Sequence, residues 1–184
     1  MNEAELIKKL IAGEEKAFGF LIDNHKQNIF RTCIGFLHNK DDAEDLTQEV
    51  FIEVFRSVKF FKQNSILATW MYRIAVNKSL NYLKRKKNQG GFIVSIQQAL
   101  GIKQIPSTSE NPEQKVLAKE KKTLLELVLE RLPENQTIAF TLAKYDDLSY
   151  KEIAEVMELS ASSVESLIFR ARENLRKELL QHKL

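Results

Sequence analysis

Apolar residues recur at intervals of three and four along most of the chain, which is the spacing of one face of an α-helix. The first such helix ends near Gly13, and the second carries its apolar stripe over residues 18–36. A third helix begins at a cap on Asp41 or Asp42 and reaches about Val58. The pattern therefore predicts an N-terminal block of helices.

The segment KFFKQNSI interrupts this pattern and predicts a loop, after which a fourth helix runs from about Ile66 to Lys87. From Asn88 to Pro112 the periodicity fades and the breakers NQGG and QIPSTSENP appear, which favours a flexible linker. Within it, FIVSIQQAL is a short apolar patch that suits a helix, a strand or a docking segment. A second helical block follows the linker.

That C-terminal block contains the signals of a helix-turn-helix. Pro133 ends one helix and can open the next. Ser149, with Glu152 three residues later, predicts a capping box ahead of a short helix that ends near Met157. The segment ELS then forms a turn, and Ser160 can cap a long final helix. A short helix, a turn and a long helix are the geometry of this motif.

Side-chain size in the motif agrees with this interpretation. Ala154 is small where the two helices must approach closely, and Leu159 is expected to fill the turn. Val164 and Leu167 fall on the inner face of the second helix.

These elements predict an all-α fold of two helical domains joined by a flexible linker. We expect an N-terminal domain over 1–87, the linker over 88–112 and a C-terminal helix-turn-helix domain over 113–184.

Charge is distributed unevenly along the chain. Residues 54–109 contain ten lysines and arginines and no aspartate or glutamate, so this stretch carries +10 against a net charge of +3, and the remainder carries −7. A basic zone in a nearly neutral protein is typical of a polyanion-binding protein. Nucleic acid is the first candidate; a membrane surface is the second, although the aromatic-rich apolar face of interfacial helices is not evident.

Several function classes lack their signals. No apolar run is long enough to cross a bilayer, so we expect no membrane insertion. The single cysteine, Cys33, cannot form an internal disulfide and suits a reducing cytoplasm. His25 lies on an apolar stripe and is interpreted as a packed side chain. With no nucleophile–base pair, metal-ligand spacing or phosphate loop, we expect no enzyme, no cofactor and no metal.

The third predicted helix has an exposed face of unusual chemistry. Residues 41–53 contain six acids and no base, and Ile52 falls on the side opposite the apolar stripe. An apolar anchor framed by charge suits a protein partner with a basic groove, whereas the alternative is an ordinary solvated face. The face consists of Asp45, Gln48, Glu49 and Ile52.

The fourth helix places Trp70 away from its apolar stripe, which consists of Tyr72, Ala75, Val76, Ser79 and Leu83. An aromatic side chain, an arginine and two amides in line over an acid-free stretch suit unpaired bases and phosphates. The alternative is that Trp70 packs on Phe60 or Phe61, and both can hold together. The aligned residues are Trp70, Arg73, Asn77, Asn81 and Lys84.

The final helix carries hydroxyls at its start and arginines further along, which suits a major groove. The alternative is a solvated face of a helical bundle. The outward residues are Ser162, Glu165, Ser166, Phe169, Arg172 and Arg176, with Arg170 at the edge of the face.

The segments DAEDLTQEVFIEVF, TWMYRIAVNKSLNYL, LSYKEIAEVM and SSVESLIFRARENLRK, with LP before a helix, together resemble bacterial RNA polymerase sigma factors. More narrowly, they resemble the extracytoplasmic function group, which has two domains joined by a linker. The resemblance covers both helical blocks in order and leaves out the linker.

The resemblance implies a role for each exposed face. The face with Asp45, Gln48, Glu49 and Ile52 would dock on the clamp coiled coil of core RNA polymerase. The KQNS loop and the fourth helix would melt and read the minus-ten element as single-stranded DNA, and basic residues at the helix end would meet duplex phosphates. The implied minus-ten residues are Lys62, Asn64, Ser65, Trp70, Arg73, Asn77, Asn81, Lys84 and Arg85.

The final helix would read the duplex minus-thirty-five element. Glu165 and Leu167 stand where many relatives have basic residues, so phosphate contacts are expected to shift toward the arginines further along. The implied minus-thirty-five residues are Ser160, Ser162, Ser163, Glu165, Ser166, Phe169, Arg170, Arg172 and Arg176. The resemblance also implies an anti-sigma factor as a partner and a linker that threads toward the RNA exit path.

Two functions other than that of a sigma factor remain open from the sequence. A stand-alone helix-turn-helix repressor explains the C-terminal half but leaves the acidic face and the acid-free helix unexplained. A helical adaptor that binds only protein explains the acidic face but leaves the +10 zone unexplained.

Overall fold

The computed structural model describes residues 2–99, 128–129, 131–146 and 148–181, with the backbone alone over 89–99. Within these ranges the fold is all-α, as predicted, and contains no strand. Its helices are α1 (Glu3–Ile11), α2 (Glu15–Leu37), α3 (Lys40–Ser57), a 3-10 turn (Val58–Phe60), α4 (Leu67–Ala99), α5 (Glu134–Tyr145), α6 (Tyr150–Met157) and α7 (Ala161–Gln181).

Local sequence determines most helix starts. Asn2 caps α1 by accepting a hydrogen bond of 2.8 Å from the Glu5 amide. The cap of α3 is Asn39, which accepts from the Asp42 amide at 2.9 Å. The prediction of Asp41 or Asp42 as this cap was wrong, because an asparagine just upstream leaves both aspartates in the first turn, where they favour the helix dipole.

The fourth helix continues to Ala99 and does not end at Lys87 as predicted. Gly90 and Gly91 are therefore helical. A helix can continue through them because each glycine costs only about 1 kcal/mol relative to alanine. The expectations for residues 100–127, including the rest of the linker and the start of the C-terminal domain, lie outside the described residues.

The N-terminal core forms where α2, α3 and α4 pack together. The predicted apolar stripes are buried, with Val50, Val54 and Ala75 at 0% exposure. Met71, which the sequence analysis did not place in the core, is also fully buried. Half-buried His25 has a lowered pKa because burial disfavours its charged form, which agrees with a packed side chain.

Of the C-terminal helices, α5 packs on α2 and α6 packs on α4, while α7 packs on α5 and α6. Most buried side chains of both blocks form one continuous cluster. Ile138, Leu142 and Ile153 belong to the same cluster as Leu21 and Met71. Sequence periodicity showed which faces are apolar but not that two of them meet across the blocks.

Gly35 marks the closest approach between the blocks. A Cβ at this position would lie 2.7 Å from the Thr141 methyl and 2.8 Å from the Tyr145 ring, closer than real Cβ atoms come. One turn earlier, the Thr32 hydroxyl donates a 2.8 Å hydrogen bond to the Asp146 carboxylate. A glycine inside a long apolar helix was the available sequence signal for this contact.

None of the helices in the described ranges has the length and apolar character needed to cross a membrane.

Candidate polymerase and nucleic-acid interfaces

The acidic face of α3 is solvent-exposed. Asp45, Gln48 and Glu49 are all exposed, and Ile52 retains 49% of its surface. Phe55, one turn further along and not among the predicted residues, is 59% exposed, and its ring centroid lies 4.7 Å from that of Phe18. A sequence signal was present, because Phe55 follows Ile52 by three residues and so extends the same face.

Ion pairs join this side of α3 to α4. The Lys78 ammonium lies 3.6 Å from the Glu49 carboxylate and 3.8 Å from that of Glu53. Lys86 donates a 3.0 Å hydrogen bond to Asp42, which raises the pKa of the Lys86 ammonium. Lys86 therefore points toward α3, and part of the basic zone is neutralised by the acids of the neighbouring helix.

Trp70 is half-buried and packs on Phe61, with 5.0 Å between ring centroids and 32° between ring planes. This contact is one of the alternatives left open from the sequence, and it ties the start of α4 to the loop before it. Phe60 is instead 72% exposed, with the Lys59 ammonium 5.1 Å from its ring centre. Phe60 is therefore the solvent-facing aromatic beside the loop, and Trp70 supports the loop from behind.

The loop before α4 presents polar groups to solvent. Lys62 and Asn64 are exposed and Ser65 is half-buried. Gln63 adopts the left-handed conformation with φ of 55°, which turns the chain sharply. Together with Arg73, the loop lines an open groove whose other wall belongs to α6.

The remaining predicted minus-ten residues lie along α4. Arg73 is half-buried and contacts the C-terminal block. Its guanidinium lies 2.8 Å from the Glu158 carboxylate and donates a 2.6 Å hydrogen bond to the Glu155 backbone carbonyl. The Lys84 ammonium lies 2.9 Å from the Glu134 carboxylate. The side chains that stay exposed along this face are Asn77, Asn81, Lys84 and Arg85.

The helix-turn-helix has the predicted caps. Ser149 and Glu152 form a reciprocal capping box at the start of α6, and these hydrogen bonds from Ser149 lower the pKa of the Glu152 carboxyl. The Ser160 hydroxyl accepts from the Ser163 amide at 3.2 Å at the start of α7. Glu158, in the left-handed conformation with φ of 56°, makes the turn between them.

The turn differs from the prediction in one respect. Leu159 was expected to fill the turn, but its side chain is 40% exposed and borders the grooves between the two blocks. The buried side chains of the two helices of the motif include Ile153, Val164 and Ile168, and Leu159 is not among them.

Among the described residues, nothing buries the outward side of α7. Val164, Ile168, Ala171 and Leu175 form its buried side. Phe169 is 66% exposed and, with Glu165, Ser166 and Arg170, borders a shallow surface depression. The predicted minus-thirty-five residues are all exposed, namely Ser160, Ser162, Ser163, Glu165, Ser166, Phe169, Arg170, Arg172 and Arg176.

Ser149→Ala is expected to destabilise the protein by about 1 kcal/mol, because the capping hydroxyl satisfies a free amide at the start of α6. Thermal or urea unfolding of the full chain measures the change. Ser149→Thr is the control, since a threonine hydroxyl can both accept from the Glu152 amide and donate to its carboxylate, and is expected to retain most of the stability. Equal losses for both variants would contradict the capping role.

No group of three or more histidine, cysteine or carboxylate side chains in the described part of the chain is arranged to hold a metal ion. The three exposed faces differ in chemistry: α3 carries an apolar anchor among acids, α4 is amide-rich beside a polar loop, and α7 carries hydroxyls and arginines.

Comparison with known proteins decides the family. Residues 21–89 match the sigma-70 region 2 model and residues 122–175 match the sigma-70 region 4 model. The chain is 32% identical to the RNA polymerase sigma-H factor of Pseudomonas aeruginosa, over 97% of this chain and 94% of that protein. It belongs to the extracytoplasmic function group of sigma factors. This sigma factor is also 32% identical to the sigma-E factor of Escherichia coli K12, over 94% of this chain and 92% of that protein.

Solved structures agree on the fold. CnrH in complex with the cytosolic domain of CnrY has a TM-score of 0.66 to this sigma factor, with 21% identity over 99% of each chain. RpoE from Bartonella quintana, in complex with the anti-sigma factor NepR, has a TM-score of 0.59, with 19% identity over 89% of this chain and 97% of that chain. The matched sigma-70 regions and the sigma-factor relatives, rather than these structures, support sigma-factor function in transcription initiation, and a stand-alone repressor is not favoured.

Proposed function

We propose that this sigma factor divides polymerase binding and promoter recognition among three surfaces. The observation that carries the proposal is that α3, α4 with its preceding loop, and α7 each expose a face of different chemistry on a shared helical core. An acidic face with an apolar anchor suits a protein, whereas the other two faces suit nucleic acid.

Core polymerase binds at the exposed face of α3 in this proposal. Ile52 inserts as the apolar anchor, and the surrounding acids pair with basic residues of the polymerase clamp. Phe55 extends the anchor because it is exposed on the same side of α3. The assigned residues are Asp45, Gln48, Glu49 and Ile52.

The melted minus-ten strand binds along the loop and the first turns of α4. Amides at Asn64, Asn77 and Asn81 offer donors and acceptors to base edges, and Arg73 offers charge-assisted donors to a phosphate. Trp70 positions the loop through its contact with Phe61. Captured bases offset the unstacking energy, which is a few kcal/mol per base. Lys62, Ser65, Lys84 and Arg85 complete the surface.

The duplex minus-thirty-five element binds α7. Its N-terminal hydroxyls lie where a recognition helix meets base edges and phosphates, and its arginines continue along the exposed side. The assigned residues are Ser160, Ser162, Ser163, Glu165, Ser166, Phe169, Arg170, Arg172 and Arg176.

Residues 1–87 then serve polymerase binding and minus-ten recognition, 88–112 act as the linker, and 113–184 serve minus-thirty-five recognition. We infer that the chain works in the cytoplasm, where polymerase and promoters meet, and supplies no catalysis of its own. An anti-sigma factor is a further proposed partner, supported by the complex of the structurally similar RpoE with NepR.

Reconstitution with core RNA polymerase tests the proposed function. The purified chain is expected to co-elute with core enzyme and to direct transcripts from discrete start sites on fragmented genomic DNA. Binding to duplex DNA without any effect on polymerase would indicate the repressor, and polymerase binding without initiation would indicate the adaptor.

Arg170→Ala is expected to weaken minus-thirty-five binding by about 1–3 kcal/mol and to relax base preference at one position, because we assign Arg170 to a base edge. Arg176→Ala, lower on the same helix, is expected to weaken binding to all sequences alike and to reduce its salt dependence. Selection of bound duplexes by each holoenzyme measures both effects. Identical base preferences for the two variants would contradict the assignment of Arg170.

A further inference from the structure

The loop before α4 covers residues 61–66, and the helix begins directly after it without a local side-chain cap. Leu67 is the first residue of α4, and the carbonyl of Ile66 accepts a 3.3 Å hydrogen bond from the Trp70 amide, as the carbonyl of an N-cap residue does. Side-chain caps are usually serine, threonine, asparagine or aspartate, whose oxygen accepts from a free amide. An isoleucine side chain has no polar atom, so Ile66 cannot supply this acceptor.

A carboxylate from α1 caps α4 instead. The Leu67 amide donates a 3.2 Å hydrogen bond to Glu3 Oε1, across 64 positions of the sequence. Leu67 is only 2% exposed, so water has little access to its amide in place of Glu3. A negative charge is also favoured at the positive end of a helix dipole. Glu3 therefore does for α4 what the residue before the helix cannot do.

Local sequence and packing hold Glu3 in this position. Asn2 caps α1 by accepting from the Glu5 amide at 2.8 Å, which makes Glu3 the first residue of that helix. The buried side of α1 belongs to the same core cluster as Leu67 and consists of Leu6, Ile7 and Leu10. The carboxylate of Glu3 is thus presented from an anchored helix.

The same short helix also contacts the other end of the loop. α1, which has nine residues, packs on the 3-10 turn Val58–Phe60. Val58 and Phe61 are buried in the cluster that contains the apolar side of α1. Because both ends of the loop are fixed by α1, the residues between them have fewer conformations to lose when they bind a partner.

The middle of the loop has a backbone conformation that needs such support. Gln63 has φ of 55°, in the left-handed region that residues other than glycine seldom adopt. A conformation of this kind persists where the surrounding structure fixes it. Lys62 and Asn64, on either side of Gln63, are exposed, so the support comes from the ends of the loop.

We propose that Glu3 is a positioning residue for capture of the minus-ten strand. Its hydrogen bond to α4 fixes one end of the loop and the packing of α1 fixes the other, so that Lys62, Asn64 and Ser65 are held ready for the strand. The proposal rests on the assignment of the loop and α4 to minus-ten DNA. Without the cap, the strand is captured more slowly, while duplex binding through α7 is unchanged.

Three variants isolate the hydrogen bond. Glu3→Ala removes the acceptor, whereas Glu3→Gln keeps an acceptor oxygen at the same position and removes only the charge. Glu5→Ala is the matched control, because Glu5 is the other acid in the first turn of α1 and its side chain pairs with Lys9. Both alanine variants remove one acid from the start of α1, but only Glu3→Ala uncaps α4.

Holoenzyme assembled from core RNA polymerase and each full-length variant is compared on one promoter that the natural chain opens. Glu3→Ala is expected to slow opening, followed by the permanganate reactivity of thymines over time, by about fivefold, the factor that corresponds to one lost helix cap. Its affinity for duplex promoter is expected to be unchanged. Glu3→Gln and Glu5→Ala are expected to open at rates within about twofold of the natural chain. A normal rate for Glu3→Ala, equal slowing by Glu5→Ala, or no rescue by Glu3→Gln would overturn the proposal.

Hydrogen exchange of the free chain separates this proposal from the assignment on which it rests. Glu3→Ala is expected to speed amide exchange over residues 61–70 and to leave α7 unchanged. Unchanged exchange over 61–70 would overturn the proposal, and so would faster exchange with a normal opening rate. The minus-ten assignment fails as well only if the variant with Trp70→Ala and Asn77→Ala also opens the promoter at the full rate.

Discussion

Ile52→Asp is expected to weaken binding of the chain to core RNA polymerase by about 30-fold or more, equivalent to about 2 kcal/mol. Ile52 is 49% exposed at the centre of the acidic face, so it is available as an anchor in the free chain. A carboxylate at this position would be desolvated without a partner on binding, which adds a cost beyond the lost apolar contact.

Ile11→Asp is the matched control for this prediction. Ile11 is 47% exposed on α1, away from the acidic face, so both substitutions place a charge on an exposed isoleucine site. Each is expected to change stability by less than about 0.5 kcal/mol, because neither side chain is in the core. Equal polymerase affinities for the two variants, measured by fluorescence titration, would refute the role of the α3 face.

Ile153→Ala is expected to lower the free energy of unfolding by about 2–5 kcal/mol, since a fully buried isoleucine leaves a cavity when truncated. Ile153 lies in α6 and belongs to the cluster shared by both blocks, so its neighbours include N-terminal as well as C-terminal side chains. The loss therefore affects the helix-turn-helix and its junction with the N-terminal block together.

Urea unfolding of the full chain measures this loss. Ile66→Ala is the control, because Ile66 is 51% exposed and is expected to change stability by less than about 0.5 kcal/mol. If Ile153→Ala unfolded at the same urea concentration as Ile66→Ala, the shared core would not contribute to stability as the packing implies.

Local signals in the sequence predicted the helix-turn-helix closely. The Ser149–Glu152 capping box and the Ser160 cap depend on residues three positions apart, so a single sequence contains all the information they need. The exposed faces of α3 and α7 follow from helical periodicity for the same reason.

Contacts between distant segments were not predictable in the same way. The sequence predicts that Leu159 fills the turn, but in the structure it is 40% exposed. The sequence likewise gives no sign that Arg73 is paired, but its guanidinium lies 2.8 Å from the Glu158 carboxylate. Both outcomes depend on how two blocks distant in sequence meet, and periodicity within one helix contains no such information. The predicted end of α4 at Lys87 is also wrong, because the helix continues to Ala99. Two glycines lower helix propensity but do not by themselves end a helix.

Trp70 illustrates how the structure narrows a choice between two roles. Its ring packs on Phe61, which favours support of the loop, while the residue as a whole is only half-buried, so burial does not prevent its contact with a base. Either role requires an aromatic ring at this position. Trp70→Phe is therefore expected to preserve promoter opening.

Permanganate oxidation of unpaired thymines tests the central claim that this sigma factor opens promoters by capturing the minus-ten strand along α4. Holoenzyme carrying Trp70→Ala and Asn77→Ala is expected to bind duplex promoters with unchanged affinity and to lose most thymine reactivity around minus ten. Holoenzyme with the natural chain or Trp70→Phe is expected to show full reactivity. Full reactivity and unchanged opening rate for the double variant would contradict the claim.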